Sequence, residues 1–148
     1  HVSELAENVK QHFMFRAQRE GKEICLSGSG EITLLCDRTW IIEAISNLVK
    51  NALDHTEKGG FVRIEWQAFA SVVQITIKDN GCGIHPEDLH HIFKRFYRSR
   101  FSKDTQGIGL GLPLAKAIVE AHNGTIEADS TLGSGTSFTI NFLIPSKF

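Results

Sequence analysis

Residues 61–84 read FVRIEWQAFASVVQITIKDNGCGI, a stretch from which the fold class can be inferred. Apolar and polar residues alternate over 61–68 and again over 73–77, which is the period of a half-buried β-strand. The second run leads directly into Asp79 and a loop that contains Gly81 and Gly83. The pattern predicts two consecutive strands, the second of which ends in an acidic, glycine-containing loop.

Helices and further strands flank this central pair on both sides. Apolar residues at every fourth position predict a helix over 2–20. Asp37 and Pro113 are suited to begin two more helices, which end near residues 55 and 121. Further strands are predicted over 23–27, 32–36, 125–130 and 137–144. Helices that separate strand hairpins indicate an α+β fold, a two-layer α/β sandwich in which a mixed sheet of five to six strands packs on three helices.

The composition is that of one ordinary globular domain. The chain has 148 residues, 41% of them hydrophobic, and a net charge of −1, so it can build a core without disulfides or metals. The low charge argues against nucleic acid as a partner. The sequence contains no apolar run of about 18 residues, the length that a membrane-spanning helix needs. The scattered Cys25, Cys36 and Cys82 fit a reducing, cytosolic compartment rather than a metal site. We expect a single domain over 1–148, cut from a longer protein because it begins with His1.

A row of polar residues follows helical spacing in the predicted second helix. Asn47, Asn51 and the adjacent Asp54 and His55 share one face, opposite a strongly apolar side. Neutral amide oxygens suit Mg²⁺, which takes oxygen ligands and keeps several waters and phosphate oxygens. The alternative is a face that is simply exposed to solvent.

Two glycine loops and a basic segment complete the candidate site. The loop 79–83 could bring a flat ligand close to the backbone, while Asp79 accepts a hydrogen bond from an exocyclic amine. The loop 107–111 precedes a predicted helix, where exposed N–H groups bind phosphate, but it is neither a P-loop nor a Rossmann fingerprint. Arg95 and Arg98 lie among aromatic residues and suggest a mobile, phosphate-facing loop. The alternatives are a hairpin turn and a helix–loop with solvated charges.

Taken in order, these motifs resemble the catalytic ATP-binding domain of sensor histidine kinases, a branch of the GHKL superfamily. The corresponding segments are 47–56 for the N box, 79–84 and 107–111 for the glycine boxes, 92–98 for the F box and 133–138 for the closing GxGTxF hairpin. The resemblance spans nearly the whole chain. It implies a Bergerat-type sandwich with a flexible ATP lid over 94–110, and it makes residues 1–21 the linker and first helix.

The resemblance also implies a role for each matching residue. Asn51 would hold Mg²⁺, Asp79 would accept from the adenine amine, and Thr136 would lie nearby through ordered water. Asn47 would orient the incoming imidazole, and Arg95 or Arg98 would supply positive charge to the transferred group. The residues implied to bind ATP and Mg²⁺ are Asn51, Asp54, His55, Asp79, Gly81, Gly83, Ile84, Gly107, Ile108, Gly109, Leu110, Gly111 and Thr136.

Two positions of the N box bear on the activity. Asp54 precedes His55 where many of these kinases have lysine, so Lys50 or a lid cation would substitute, or nucleotide affinity would be lower. Asn47 stands where ATPases of the superfamily carry a glutamate that activates water, and an amide lacks that basicity. This favours phosphoryl transfer to a side chain. The open alternatives are a GHKL ATPase, an anti-sigma-type serine kinase and a non-catalytic nucleotide-sensing module.

The same resemblance implies the partners. The acceptor motif HE/HD-x-[RK]-TP is absent from the sequence, so the histidine would lie in a separate dimerisation domain of the same protein. A response regulator would act downstream. The parent protein is expected to be a homodimer and a membrane-anchored sensor. This fragment is expected to be a cytoplasmic monomer that contacts neither nucleic acid nor the membrane directly.

Overall fold

A mixed sheet forms the centre of the domain. The computed structural model describes residues 1–94 and 111–144, and within them the sheet has five strands. These are β1 (Glu23–Ser27), β2 (Phe61–Phe69), β3 (Val72–Asp79), β4 (Gly124–Thr131) and β5 (Gly135–Leu143). Their spatial order is β1-β2-β3-β5-β4, with β1 and β2 parallel and the other neighbours antiparallel. The predicted α+β fold with a mixed sheet is confirmed.

The helices pack on one face of this sheet. They are α1 (Val2–Glu20), α2 (Arg38–His55), the short α3 (Pro86–Leu89) and α4 (Gly111–Ala121). α1 contacts β1 and α2, α2 also contacts β3 and α4, and α4 contacts β4. Every second residue of β3 and β5 is buried beneath them, namely Val73, Ile75, Ile77, Phe138, Ile140 and Phe142. This alternation produces the predicted two layers, because the other face of the sheet carries the polar residues. None of the helices within the described ranges is long and apolar enough to cross a bilayer.

The two long helices begin and end where their sequences indicate. Asp37 has extended backbone geometry, and its carboxylate accepts the N–H of Trp40 at 3.2 Å, which caps the start of α2. Gly21 ends α1 in the left-handed conformation with φ of 69°. α4 begins at Gly111, two residues before the Pro113 that was expected to start it.

The predicted strand over 32–36 is wrong. The structure has an irregular connection there, and the N–H of Val2 donates to the carbonyl of Ile32 at 3.0 Å. Ile32 and Leu34 pack against the core from this connection, while Leu35 is 93% exposed. β1 pairs in parallel with β2 instead, and α2 supplies the crossover that parallel neighbours require.

A cluster of charges fixes the end of α1 to α2. The carboxylate of Glu20 accepts from Arg16 and Lys22, at 2.8 Å each. Lys22 also donates to the carbonyl of Leu53 at 2.6 Å, and Arg16 reaches Asp54 at 2.6 Å. These two hydrogen-bonded cations lower the pKa of Glu20 from 4.5 to about 2. The pairs connect the first helix to the last turn of α2.

We expect Glu20→Gln to lower the free energy of unfolding by about 1 kcal/mol at pH 7, since the side chain is 27% exposed and solvent screens its charge. A carboxyl whose pKa is lowered by folding contributes stability above its unfolded value, near 4.5, and loses it as the pH falls toward 2. The difference between parent and variant should therefore shrink between pH 7 and pH ~3 in urea titrations. Glu43→Gln, an exposed site on α2, is the matched control. An equal difference at both pH values would contradict the assignment.

Candidate functional site

A buried carboxylate forms the floor of the site. Asp79 ends β3 and is only 4% exposed. One carboxylate oxygen accepts the N–H of Gly81 at 2.8 Å, and the N–H of Thr136 also donates to this carboxylate. Burial raises the pKa of Asp79 above its ordinary value by more than these two hydrogen bonds lower it. The carboxylate retains further acceptor positions for a ligand that donates hydrogen bonds.

The loop after Asp79 fits tightly between two other parts of the chain. The N–H of Cys82 donates to the carbonyl of His55 at 3.1 Å, and a Cβ at Gly81 would collide with that same oxygen. Gly83 has φ of 81°, and a Cβ there would collide with the carbonyl of Thr131. Both glycines were expected to make room for a nucleotide base. In the structure each is required by the close approach of backbone to backbone.

The predicted amide face lies on α2, the helix whose last residue, His55, contacts this loop. Asn47 and Asn51 lie one turn apart and are both half-buried. The amide nitrogen of Asn47 is buried and has no hydrogen-bond partner among the described residues. A Cβ at Gly111, the first residue of α4, would come within 3.3 Å of the Asn47 side-chain oxygen. A buried donor without a partner is available to a ligand that enters between α2 and α4.

The two residues that follow the amide face point to different neighbours. The carboxylate of Asp54 pairs with Arg16 of α1 at 2.6 Å and with Lys50 at 3.3 Å. The imidazole of His55 lies 3.9 Å from the thiol of Cys82, at the mouth of the loop. The structure therefore brings His55 to the site, whereas Asp54 is engaged by Arg16 of α1 and by Lys50 of α2 itself.

Several predicted site residues lie outside the described part of the chain. These are Arg95, Arg98, Gly107, Ile108, Gly109 and Leu110, so most of the expected lid is among them. On the near side of that gap, Phe93 packs edge-to-face on Phe138, with ring centroids 6.2 Å apart. The ammonium of Lys116 lies 5.4 Å from the centre of the same Phe93 ring. The start of the F-box segment is thus held against the core.

One site residue was missed by the sequence analysis. The hydroxyl of Ser130, near the end of β4, accepts the N–H of Ile84 at 2.7 Å. It also lies 2.9 Å from the hydroxyl of Thr136. Ser130 therefore joins the glycine loop to the β4–β5 hairpin. The only sequence signal was a small hydroxyl residue shortly before a glycine turn, which is too common to single out.

Fold and site together define an α+β domain in which an amide-bearing helix, a glycine loop and a hairpin are joined by hydrogen bonds. The sequence matches the family of histidine kinase-, DNA gyrase B-, and HSP90-like ATPases over residues 36–146. Because this match covers most of the chain, the chain belongs to that family.

Individual relatives and structures narrow the comparison to sensor histidine kinases. YvrG of Bacillus subtilis, a sensor histidine kinase, is 36% identical over 91% of this chain and 24% of its own length. The catalytic domain of histidine kinase ThkA superposes with a TM-score of 0.85 at 25% identity, covering 97% of this chain and 95% of that domain. Full-length ShkA, solved in complex with AMPPNP, superposes with a TM-score of 0.86 at 26% identity. The match covers 100% of this chain and 31% of the ShkA chain. The chain spans 24% to 33% of the length of the first three curated relatives that it matches.

We expect Asp79→Asn to raise the free energy of unfolding of the ligand-free protein at pH 7. A carboxyl whose pKa is raised by folding favours the folded state below its unfolded value, near 3.8, and this contribution is lost as the pH rises through the folded value. At pH 7, well above the unfolded value, burying this carboxyl carries a net cost, which the amide removes while its oxygen still accepts from Gly81. Denaturant titrations at pH 7 and pH ~4 should show the gain shrinking at the lower pH.

The control is Asp129→Asn, the same change at an exposed position of β4. A variant Asp79→Asn that is less stable than the parent at pH 7 would mean that the two backbone N–H groups outweigh the burial.

Proposed function

We propose that this chain binds Mg·ATP and acts as the catalytic domain of a sensor histidine kinase. It would transfer the γ-phosphoryl group to a histidine on a separate dimerisation domain of the same protein. Membership of an ATPase family and the similarity to histidine kinase catalytic domains support this proposal. ShkA, which shares the fold over the whole chain, was solved with an ATP analogue bound.

Asn47 is the observation that carries the choice of kinase over ATPase. Its amide nitrogen is buried without a partner and faces no described acceptor. An amide can donate to a phosphate oxygen or hold an incoming imidazole, but it cannot remove a proton from water. The corresponding ATPases are expected to carry a glutamate at this position. A site with Asn47 there positions a nucleophile without activating water.

The base would bind at the floor of the cleft. Asp79 would accept from the exocyclic amine of adenine, with Thr136 and the backbone around Gly81, Gly83 and Ile84 lining the same end. Asp79 is buried and already shaped by two backbone N–H groups, which supports a preorganised acceptor. Since this end contacts only the base, it would contribute equally to ATP and ADP.

The phosphates and the cation would lie along the amide face of α2. Asn51 is half-buried, and its side-chain oxygen is of the kind that hard cations take, so it fits a role as the Mg²⁺ ligand. When bound, Mg²⁺ supplies positive charge that offsets the phosphate charge. Gly111 begins α4, whose N-terminus would face the phosphates together with 107–110. Arg95 and Arg98 would add charge at the transferred group.

Asp54 is the weakest of the proposed nucleotide contacts. Its carboxylate is paired with Arg16 and Lys50, and a carboxylate beside phosphates is repelled by them. A contact to nucleotide would have to run through Lys50, whose ammonium lies 3.3 Å from Asp54. His55 would border the base near Cys82.

The proposal extends to the whole protein. The parent would be a homodimer that presents an acceptor histidine to this domain and passes the phosphoryl group to a response regulator. This domain would work in the cytoplasm, and the fragment alone would be a monomer. Without its acceptor the isolated chain would bind nucleotide but would not phosphorylate itself.

The test combines nucleotide titration with a transfer assay. Calorimetry with ATP, ADP and GTP, with and without Mg²⁺, should show Mg-dependent binding of the adenine nucleotides. Labelled ATP together with the protein's own dimerisation domain should yield a phosphoprotein that is stable to alkali but not to acid. Acid-stable label would indicate phosphoserine, steady phosphate release by the chain alone would indicate an ATPase, and nucleotide binding without transfer would indicate a sensing module.

Asn51→Ala should abolish the Mg-dependent part of ATP binding, because it removes the proposed cation ligand. Calorimetry in Mg²⁺ should then give the affinity that the parent shows in EDTA. Asn8→Ala, an exposed change on α1, should leave both values unchanged. A parent-like affinity of Asn51→Ala in Mg²⁺ would show that the metal ligand lies elsewhere.

Asp79→Asn should weaken ATP and ADP to the same extent, since it alters the contact to the base. The loss of one hydrogen bond to a charged group corresponds to about 10-fold to 100-fold in Kd. Titrations of both nucleotides measure this directly. A loss confined to ATP would place Asp79 near the phosphates instead.

A further inference from the structure

The hydroxyl of Ser130 has three neighbours at hydrogen-bonding distance. The N–H of Ile84 lies at 2.7 Å, the hydroxyl of Thr136 at 2.9 Å and the carbonyl of Gly135 at 3.1 Å. Ser130 is half-buried near the end of β4 and pairs with Thr136 across the β4–β5 ladder. Three contacts to one small hydroxyl are enough to determine which atoms donate.

Counting protons gives one arrangement that satisfies all three contacts together. The N–H of Ile84 can only donate, and the carbonyl of Gly135 can only accept. The single proton of Ser130 therefore goes to Gly135, and its oxygen accepts from Ile84. The contact to Thr136 is then satisfied only if Thr136 donates its own proton to Ser130. The Thr136 oxygen is left with lone pairs alone.

This arrangement matters because Thr136 lies directly beside Asp79. The N–H of Thr136 donates to the Asp79 carboxylate, and the two residues are 5% and 4% exposed. If the proton of Thr136 is held by Ser130, both side chains offer only acceptors at the floor of the cleft. A base edge that donates an amine proton is then favoured, and an edge with an oxo group meets lone pairs.

We propose that Ser130 is a positioning residue that sets base selectivity by holding the Thr136 hydroxyl as an acceptor. The inference rests on the proposed nucleotide site and names a selectivity device within it. Ser130 need not touch the ligand. It acts through the proton of Thr136, and its bond to Ile84 keeps the glycine loop in register with the hairpin.

The readout is the ratio of Kd for ITP to Kd for ATP, measured by calorimetry in Mg²⁺. Inosine presents an oxo group where adenosine presents the amine. Ser130→Ala frees the Thr136 proton, which can then donate to the oxo group, so we expect the ratio to fall about threefold to tenfold, the range of one hydrogen bond. Ser130→Thr keeps the hydroxyl and should retain the parent ratio. Ser134→Ala, an exposed serine in the same hairpin turn, is the matched control.

A double-mutant cycle separates this role from a purely structural one. Thr136→Val removes the hydroxyl through which Ser130 acts, so adding Ser130→Ala in that background should change the ratio less than twofold. The proposal is overturned if Ser130→Ala keeps the parent ratio, even with weaker binding overall, or if the ratio falls equally in both backgrounds. Should Ser130→Ala fail to fold, Ser130→Cys repeats the measurement with a weakly hydrogen-bonding thiol of similar size. A parent chain that binds neither nucleotide would instead defeat the proposed function itself.

Discussion

The site depends on how closely the loop after β3 packs between the end of α2 and the β4–β5 turn. Cys82 links the two elements: its N–H donates to the carbonyl of His55, and its carbonyl accepts the N–H of Gly133 at 2.8 Å. A side chain at Gly81 would push this loop away from α2. Because α2 carries the amide face and the hairpin carries Thr136, these two hydrogen bonds link the two parts of the site. Backbone hydrogen bonds therefore connect the parts of the site directly.

Within this frame, the protein keeps an ionisable group where burial disfavours its charge. Asp79 is almost fully buried, and its pKa is raised by that burial in spite of two backbone donors. An apolar residue at the end of β3 would pack without this cost. A buried acceptor aimed into a cleft is nevertheless what a ligand with an amine requires. The amide nitrogen of Asn47, which is buried and has no partner among the described residues, follows the same logic, since both groups forgo stability that a bound ligand could restore.

The last turn of α2 also carries contacts that serve stability. Arg16, Glu20 and Lys22 form a connected set of ion pairs that reaches the last turn of α2 through Leu53 and Asp54. These charges give α1 a defined attachment to the helix that also carries the amide face. Asp54, where the family resemblance led us to expect a lysine, serves that attachment here. Neighbouring turns of one helix thus have separate tasks.

Periodicity was sufficient to predict α1, α2, the β2–β3 pair and the closing hairpin, because each buries one face and its pattern is local. The order of the motifs was sufficient to predict the family. The strand expected over 32–36 failed because a strand needs a partner, and the local sequence cannot show that β2 takes the place beside β1. The same limit applies to the site: Asp79, Asn47 and Asn51 stood out by residue type, but Ser130 and the Arg16–Asp54 pair did not. Their partners lie as far as 46 and 38 residues away along the chain, and such contacts exist only once the fold has brought the segments together.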